Sequence, residues 1–269
     1  MFRALFIPHG GGPMPLLGDK AQAPLVAEWK ALAEEFRRAP PTAIVVISAH
    51  YETDVVCVGA SAMPQMIYDY GGFPPEAYKL TYPAPGNPAL AERICHMLQE
   101  KGIACRKDAS RGYDHGVFVP LMVLFPEAVI PVIPLSVLRS QDPKAHIAIG
   151  DALQTLRAEG VLFLGSGSSS HNFASFNKRY SNQTGVPMGT LFHKSLNDMV
   201  CSPAMTPAER MAMAQQYLTF QGVEECQAPG EAEHLMPLFT IMGAAGCVPG
   251  KLDTHFVIWN CYLAQYSWT

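Results

Sequence analysis

The chain has 269 residues, of which 49% are hydrophobic and 16% are charged, and its formal net charge is -4 at pH 7. This composition allows a large buried core and, since lysine and arginine form no cluster, argues against a nucleic-acid-binding protein. The most apolar stretch, residues 117–138, is broken by prolines and a glutamate, which is typical of a buried core and not of a membrane span. We therefore expect neither nucleic acid nor membrane as a partner.

Cysteine usage and the N-terminus bear on the cellular compartment. The seven cysteines are scattered and show no Cys-x-x-Cys spacing. The odd number of cysteines, together with the lack of a signal-peptide pattern, predicts reduced thiols and a cytoplasmic location. A zinc site built from thiolates is not expected.

The first half of the chain alternates predicted strands and helices. Short apolar, β-branched runs predict strands at 2–7, 42–48, 54–60 and 102–106. Apolar residues at helical spacing predict helices at 22–37, 88–100 and 117–125. The run at 42–48 is apolar on both faces and indicates a central strand. Residues 61–86, rich in proline and glycine, predict a long loop of the kind that forms a lid or a binding wall.

The second half continues the alternation and then becomes mostly helical. The predicted strands are 129–136, 161–165 and 256–259, and the predicted helices are 143–159, 188–199, 207–218 and 231–245. The absence of a repeat or of a linker with shifted composition favours a single domain over residues 1–269. Alternating strands and helices predict an α/β sandwich, with a central mixed, largely parallel sheet flanked by helices.

The placement of the nine histidines is the most informative feature of the sequence. Three directly follow predicted strands: His9, His50 and His171. Two begin predicted helices: His115 and His234. Ligands of open α/β sheets bind beyond the carboxyl ends of the strands, so we expect these five imidazoles to meet in one site. The other four are predicted to be surface or capping residues: His96, His146, His193 and His255.

A cluster of imidazoles predicts a metal centre, since imidazole is the commonest metal ligand and suits zinc, iron, copper and nickel. Three protein ligands that leave open positions are typical of a catalytic metal. Glu233 precedes His234, and adjacent residues of a helix point about 100° apart, so one of the two reaches the metal. The third ligand beside His9 and His50 is therefore His234 or, in a facial triad of two histidines and a carboxylate, Glu233.

Residues next to these histidines suggest roles around the site. The small Ser-Gly-Ser-Ser-Ser run before His171 permits a sharp turn that brings the imidazole to the metal, with the hydroxyls binding the ring or an anion. Its alternative is a plain turn with a solvated histidine. Asp114 either orients His115 or caps the following helix. Tyr70, in the long loop, either walls an aromatic substrate or packs the loop.

Seven segments, in chain order and spread over nearly the whole sequence, carry a family resemblance. They are PHGGGPM (8–14), ISAHYE (47–52), YDYGGFPPEAYKLTYPAPG (68–86), GYDHGVFVPL (112–121), PVIPLS (131–136), GSGSSSHN (165–172) and GEAEHLMPL (230–238). On these segments the chain resembles the class III extradiol ring-cleavage dioxygenases, in the branch similar to DOPA-4,5-dioxygenase. It departs from that pattern at Pro8, where Ser or Ala is frequent, and at Tyr51, where Trp is frequent.

The resemblance implies a metal-dependent oxidoreductase that uses a small, DOPA-like catechol and O2. Oxygen enters beside the two hydroxyls, and the product is a muconic semialdehyde. The implied metal ligands are His9, His50 and His234, with His171 as a possible fourth ligand. The implied catalytic residues are His171, as acid/base, and His115, on the substrate side. The metal is non-haem Fe(II), with zinc possible in the same site. We expect Tyr51, Tyr70 and Asp114 to bind the substrate.

Two other functions fit the same histidines. A zinc-dependent hydrolase would use a metal-bound hydroxide and would not consume O2. A non-catalytic binding protein on this fold would be expected to lack one of the histidines, and all five are present. The oligomeric state is not indicated by the sequence.

Overall fold

The computed structural model describes residues 1–178 and 185–269, and an eight-stranded sheet runs through them. In chain order the strands are β1 (Ala4–Pro8), β2 (Ala43–Thr53), β3 (Val56–Gly59), β4 (Cys105–Asp108), β5 (Val132–Leu138), β6 (Val161–Gly167), β7 (Lys251–Ile258) and β8 (Cys261–Trp268). Their order across the sheet is β4-β3-β5-β2-β6-β1-β8-β7. The pairs β3–β4, β2–β5, β2–β6 and β1–β6 are parallel, which confirms the predicted mixed, largely parallel sheet.

Helices cover both faces of this sheet. They are α1 (Ala23–Arg38), α2 (Pro88–Glu100), α3 (His115–Leu124), α4 (Pro143–Leu153), α5 (Phe173–Lys178), α6 (Thr190–Cys201), α7 (Pro207–Ala214), α8 (Val223–Cys226) and α9 (Met236–Ala244). Alternate residues of β2 serve two cores: Ile44 and Val46 pack with α1 and α3, whereas Val45 and Ile47 pack with α2, α4 and α9. The predicted central strand is thus buried on both faces, as its continuous apolar sequence requires.

A close contact between α4 and α9 fixes the helix that follows His234. A Cβ on Gly150 would lie 1.9 Å from the carbonyl oxygen of Thr240, and a Cβ on Gly243 would lie 2.0 Å from that of Ile147. Only glycine allows the two backbones to approach this closely. The start of α9, and with it the turn that contains His234, is therefore held at a defined height above the sheet.

The C-terminal region differs most from the predicted elements. Instead of one strand at 256–259, β7 and β8 form an antiparallel hairpin. Its two-residue turn, Trp259 and Asn260, has φ values of 51° and 60°. Such turns usually contain Asn-Gly, so Trp-Asn gives no hairpin signal. The predicted helix at 231–245 begins only at Met236, which places His234 in the preceding turn and not in the helix.

One cysteine pair contradicts the expectation of reduced thiols. Cys95 of α2 and Cys105 of β4 form a disulfide, with Cα atoms 5.4 Å apart. The pairing depends on how α2 packs beside β4, and a separation of ten residues gives no local signal of that contact. The other five cysteines are not joined in a disulfide. Among the described helices, none combines the length and the apolar character that a membrane crossing demands.

Candidate active site

The five histidines at predicted element ends come together in one cavity of about 660 Å³. The cavity lies at the carboxyl ends of the parallel strands β1, β2 and β6. His9 directly follows β1, His50 lies within β2, and His171 follows β6 by four residues. His115 is the first residue of α3, and His234 lies two residues before α9. The predicted convergence of remote histidines is therefore present in the fold.

His50 directs its Nε2 atom at the same ring nitrogen of two other histidines. The Nε2 atom of His50 lies 3.2 Å from Nε2 of His9 and 3.2 Å from Nε2 of His234. Lone pairs that face each other across this distance repel unless a proton or a cation lies between them. The donor set is all imidazole, which suits divalent zinc or iron.

The opposite nitrogen of His9 is held by a serine. Nδ1 of His9 lies 3.0 Å from Oγ of Ser166, and the Ser166 hydroxyl donates to the carbonyl oxygen of Gly116. Because that hydroxyl proton is already used, Oγ accepts from Nδ1–H. This tautomer leaves the lone pair on Nε2, which is the arrangement that metal-binding histidines adopt.

Carboxylates hold the other two rings in the same way. Nδ1 of His234 lies 2.7 Å from Oε1 of Glu233, and Nδ1 of His50 lies 3.3 Å from Oδ2 of Asp69. The Glu233 oxygen therefore lies on the far side of the His234 ring from the three Nε2 atoms. Acceptors on all three Nδ1 atoms leave all three Nε2 atoms as ligands.

Burial keeps these imidazoles neutral at neutral pH. Loss of solvation lowers the pKa of His9 and of His50 well below the ordinary value, and the neighbouring histidines add to the effect. Burial likewise lowers the pKa of His234 to about 4, although Glu233 opposes the shift. A metal binds neutral imidazole, so these ligands need not lose a proton when the metal binds.

Asp69 links a candidate ligand to a candidate acid/base. Besides His50, it accepts from Nδ1 of His115 at 2.9 Å and from the backbone N–H of His115 at 2.9 Å. Burial alone would raise the pKa of Asp69, but the bonds from His115 outweigh it and hold that pKa below the usual value. Sequence reasoning missed Asp69, since a lone aspartate within the long loop carries no spacing signal.

His171 and Glu233 form a second linked pair. The His171 ring stacks on that of His234 with centroids 3.3 Å apart, and its Nδ1 lies 3.5 Å from Oε1 of Glu233. Burial alone would raise the pKa of Glu233, but hydrogen bonds from His171 and His234 hold it below the usual value. One carboxylate thus contacts both a candidate ligand and the candidate acid/base.

Two backbone features place the ligands. In β2, the partners Ser136 and Val137 of β5 face Ser48 and Glu52, so residues 49–51 bulge out of the ladder. Bulges re-aim side chains near active sites, and this one carries His50. In β6, a Cβ on Gly167 would lie 2.1 Å from the carbonyl oxygen of His234, so glycine lets the His234 turn sit against the strand.

The serine-rich loop works differently from the prediction that its hydroxyls bind His171. The Ser168 hydroxyl donates to the carbonyl oxygen of Ser170, and Oγ of Ser169 pairs with buried His193 at 2.7 Å. These bonds stabilise the loop itself. His171 is placed through its backbone, whose N–H donates to the carbonyl oxygen of Cys226 at 2.7 Å.

Three residues that line the cavity pack closely against the glycine triplet that follows His9. A Cβ on Gly11 would lie 2.8 Å from the Trp259 ring, and one on Gly12 would lie 3.3 Å from the Phe73 ring. The Gly10 position is equally close to Gln22. Trp259 and Gln22 were missed from the sequence, because a hairpin tip and a helix start have no marker of their own there.

Among the predicted substrate contacts, only Tyr70 lines the cavity. Its hydroxyl donates to the carbonyl oxygen of Ala77 at 2.7 Å, and its ring centroid lies 5.9 Å from that of His115. Tyr70 therefore anchors the loop and lies in the cavity wall, and its contact with an aromatic substrate stays a prediction.

Tyr51 and Asp114 lie outside the cavity lining, which conflicts with the prediction that they contact substrate. The Tyr51 hydroxyl donates to Asp108, and its ring packs under the Arg111 guanidinium. Asp114 is buried as the N-cap of α3 and pairs with Arg111. Its capping alternative matches the structure.

Comparison with known proteins identifies the family. Residues 3–264 match the family described as the catalytic LigB subunit of aromatic ring-opening dioxygenase. The chain is 37% identical over 254 residues to dioxygenase tasH of Hapsidospora irregularis, covering 88% of this chain and 76% of tasH. It is 38% identical over 221 residues to 4,5-DOPA dioxygenase extradiol of Portulaca grandiflora, covering 82% and 78%. A crystal structure of an uncharacterised Escherichia coli K12 protein superposes with a TM-score of 0.77 at 28% identity, covering 100% of both chains.

The chain belongs to the LigB family, the class III extradiol dioxygenases, as its sequence segments indicated. It is a metal-dependent extradiol dioxygenase, that is, an oxidoreductase that opens aromatic rings. Two groups of described side chains in this cavity could hold the metal of this family: His9, His50 and His115, and His171, Glu233 and His234.

Proposed function

We propose that this protein opens the ring of a small catechol, DOPA or a close relative, by inserting O2 beside the two hydroxyls to give a muconic semialdehyde. The name of the Portulaca grandiflora relative supports the substrate class. The single observation that carries the proposal is that Nε2 of His50 faces Nε2 of His9 and Nε2 of His234, with an acceptor at Nδ1 of all three rings.

The proposed metal is Fe(II), held by Nε2 of His9, His50 and His234. Bound there, Fe(II) supplies the electron transfer between catechol and O2 that redox-inert Zn²⁺ lacks. Three ligands leave positions for both reactants. His171, stacked against His234, is the proposed acid/base and the candidate fourth ligand.

The two remaining histidines are proposed to handle protons. A catechol must lose hydroxyl protons, and imidazole is the side chain suited to accept them near neutral pH. In His115, an Nδ1–H that donates to Asp69 leaves Nε2 as an acceptor at the cavity. In His171, Glu233 offers the same support to Nδ1. Asp69 and Glu233 therefore each contact one proposed proton acceptor and one proposed metal ligand.

The cavity walls fit a small aromatic ring. A volume of about 660 Å³ lies within the usual range for small-molecule sites. Tyr70, Phe73 and Trp259 supply aromatic surface on which a catechol ring packs and from which water is excluded. The glycines beside them keep the walls close to the metal ligands.

The test is anaerobic reconstitution of metal-free protein with Fe(II) or, in parallel, Zn²⁺, followed by a panel of catechols. We expect O2 uptake and a yellow semialdehyde absorbance with iron and neither with zinc. Metal analysis of each sample shows that the ion is bound. Stoichiometric binding of iron without O2 uptake on any catechol would contradict the proposal. Hydrolytic activity of the zinc-loaded protein would favour the zinc-dependent hydrolase instead.

A further inference from the structure

His50 is the central ligand of the proposed metal site, but its backbone lies outside the ladder of the sheet. β6 pairs with β2 as far as Ser48, and β5 pairs with β2 as far as Ser48 and again from Glu52. Among the described strands, no residue is in register with His50 on either side. A bulge leaves its extra residues unpaired, so the direction of this imidazole depends on contacts other than the ladder.

Side chains replace the ladder at both backbone groups of His50. The N–H of His50 donates to Oγ of Ser48 at 3.2 Å, and its carbonyl oxygen accepts from the Arg111 guanidinium at 3.2 Å. The Ser48 hydroxyl donates to Oδ1 of Asp114 at 2.7 Å, and the same Arg111 nitrogen donates to Oδ2 of Asp114. The two oxygens of one carboxylate therefore hold the two side chains that hold His50.

Close packing leaves this network little freedom to move. Asp114 is buried, and Arg111 is partly buried. A Cβ on Gly116 would lie 2.8 Å from Oγ of Ser48 and 3.2 Å from Cδ2 of His50. Only glycine leaves room at this position, so the network and the imidazole pack directly against the backbone at the start of α3.

The ion pair of Arg111 and Asp114 does not reach the substrate cavity. Both residues lie outside the cavity lining, and the guanidinium packs on the Tyr51 ring, 4.1 Å from its centre. The pair contacts the backbone of a proposed ligand, not the space in which a metal or a catechol would bind. Any effect of the pair on the metal is therefore transmitted through His50.

We propose that Arg111 and Asp114 are positioning residues, which hold the bulged segment of β2 so that Nε2 of His50 stays directed at Nε2 of His9 and of His234. A ligand that is fixed before the metal arrives loses less conformational freedom on binding, so the pair should raise metal affinity. This inference rests on the proposed role of His50 as a metal ligand.

Arg111→Met removes the donor to the carbonyl oxygen of His50 and keeps an apolar stem. The affinity of the metal-free protein for Zn²⁺ and, without O2, for Fe(II) is measured by competition with a chelator, which requires no catechol turnover. We expect the affinity to fall about tenfold or more, the range for loss of a group that orients a metal ligand. Arg111→Lys keeps a cation beside Asp114 but not the planar fork of donors, so it should also lose affinity, and it carries the test where Arg111→Met does not fold.

Asp114→Asn separates the ion pair from the helix cap. Asn is as good an N-cap residue as Asp, and its Oδ1 can still accept from Ser48 and from the backbone N–H of Val117. Its NH2 group cannot accept from Arg111, so metal affinity should fall although the cap is kept. The double variant with Arg111→Met should lose no more affinity than Arg111→Met alone, because residues that act as one unit are not additive.

Arg139→Met is the matched control at the other end of the bulge. Arg139 pairs with Glu52 and Asp54, which follow His50 in the chain, but neither of these ion pairs involves the His50 backbone. Arg139 is exposed, and exposed ion pairs contribute little to stability. Arg139→Met should therefore leave metal affinity unchanged.

The outcomes distinguish this inference from the proposed function. Unchanged metal affinity in the Arg111 variants, while His50→Gln loses the metal, overturns the role of the pair alone. Additive losses in the double variant, or an equal loss in Arg139→Met, also overturn it, since they indicate independent or nonspecific effects. Full metal affinity in His50→Gln overturns the proposed ligand set and this inference with it. A lack of O2 uptake in the iron-loaded, unsubstituted protein overturns the proposed reaction and leaves these affinities as they are.

Discussion

Two groups of buried histidines in this protein have the same imidazole and opposite surroundings. In the first group, His146 is fully buried within α4. Its Nδ1 lies 2.8 Å from the carbonyl oxygen of Asp142, and its Nε2 accepts from the backbone N–H of Leu138 at 2.9 Å. Both ring nitrogens are satisfied, so this histidine joins α4 to the end of β5.

His193 repeats this pattern in α6. Its Nδ1 lies 2.8 Å from the carbonyl oxygen of Gly189, and its Nε2 pairs with Oγ of Ser169 at 2.7 Å. The sequence predicted His146 and His193 as surface or capping residues, which is wrong, because each is placed inside the protein by a contact between remote segments. Both are structural links.

The second group differs only at Nε2. In His9, His50 and His234 an acceptor holds Nδ1, as in the structural pair, but Nε2 faces other Nε2 atoms. A structural histidine has a donor opposite each lone pair, whereas a ligand histidine has its lone pair left for a cation. His9 and His234 are as buried as the structural pair, and His50 is partly exposed, so the partner of Nε2 separates the two roles better than burial does.

The largest effect is expected from His50→Gln, because His50 is the central member of the three facing imidazoles. Loss of a bound metal removes several kcal/mol of barrier lowering, so catechol turnover should fall roughly a thousandfold or more. Metal content, measured by mass spectrometry after dialysis, should fall with it. His146→Gln is the control and should retain both metal and turnover. Equal metal content in His50→Gln and His146→Gln would show that the two groups of histidines do not differ in metal binding.

Protonation of His146 and His193 should instead lower the free energy of unfolding in acid. Burial is the main cause that lowers the pKa of His146 and of His193 from 6.5 to about 4. The unfolded state binds the proton of each histidine more tightly than the folded state does. The contribution of these histidines to the free energy of unfolding is therefore fully present above pH 6.5 and is lost as the pH falls towards 4. The loss should approach roughly 3 kcal/mol for each histidine.

Urea unfolding of the metal-free protein across this pH range checks the effect. His146→Gln should be less stable at neutral pH, and its unfolding free energy should fall less steeply with acid, because one titrating group has been removed. A slope equal to that of the unsubstituted protein would show that His146 is not a buried neutral histidine.

The variant His171→Gln distinguishes a metal ligand from a residue that only transfers protons. If His171 only transfers protons, His171→Gln should retain the metal and lower kcat about a hundredfold, the lower range for loss of general acid/base catalysis. Dialysed metal content and single-turnover rates separate chemistry from binding. Metal loss comparable to that of His50→Gln would instead make His171 a fourth ligand.

How much of this could be predicted from the sequence depends on the range of the contacts. The position of His9 after an apolar strand, and the exposure of strand ends in parallel sheets, are local facts, and they correctly led to a shared site. The Nε2 partners of His146 and His193 lie 8 and 24 residues away on other elements, so the helical pattern around each histidine did not separate it from a surface histidine. The same holds for Asp69, which reaches two histidines from the middle of a long loop.

The strand patterns also explain what failed in the fold. The continuous apolar run at 42–48 identifies a central strand, but it does not show the bulge that prolongs β2 to Thr53. β8 was missed because the Trp259-Asn260 turn is not a typical hairpin sequence.

A row of three buried serines allows the smallest and most specific prediction. Ser136, Ser48 and Ser166 are in register at the ends of β5, β2 and β6. Ser166 contacts the ring of a candidate ligand, through Nδ1 of His9, whereas Ser48 accepts from the backbone N–H of His50. Ser166→Ala removes the acceptor that fixes the His9 tautomer, so metal affinity should fall about tenfold or more, as expected when the partner of a ligating histidine is lost.

Ser136→Ala is the matched control, because Ser136 is equally buried but bonds Thr53 and the backbone of Cys57. It should cost folding stability with little change in metal affinity, whereas Ser166→Ala should change the affinity measured by competition with a chelator. If both serines change metal affinity alike, the tautomer of His9 is not what the hydroxyl controls. If only Ser166 does, the partner of Nδ1 determines whether Nε2 can bind the cation, which completes the contrast with His146 and His193.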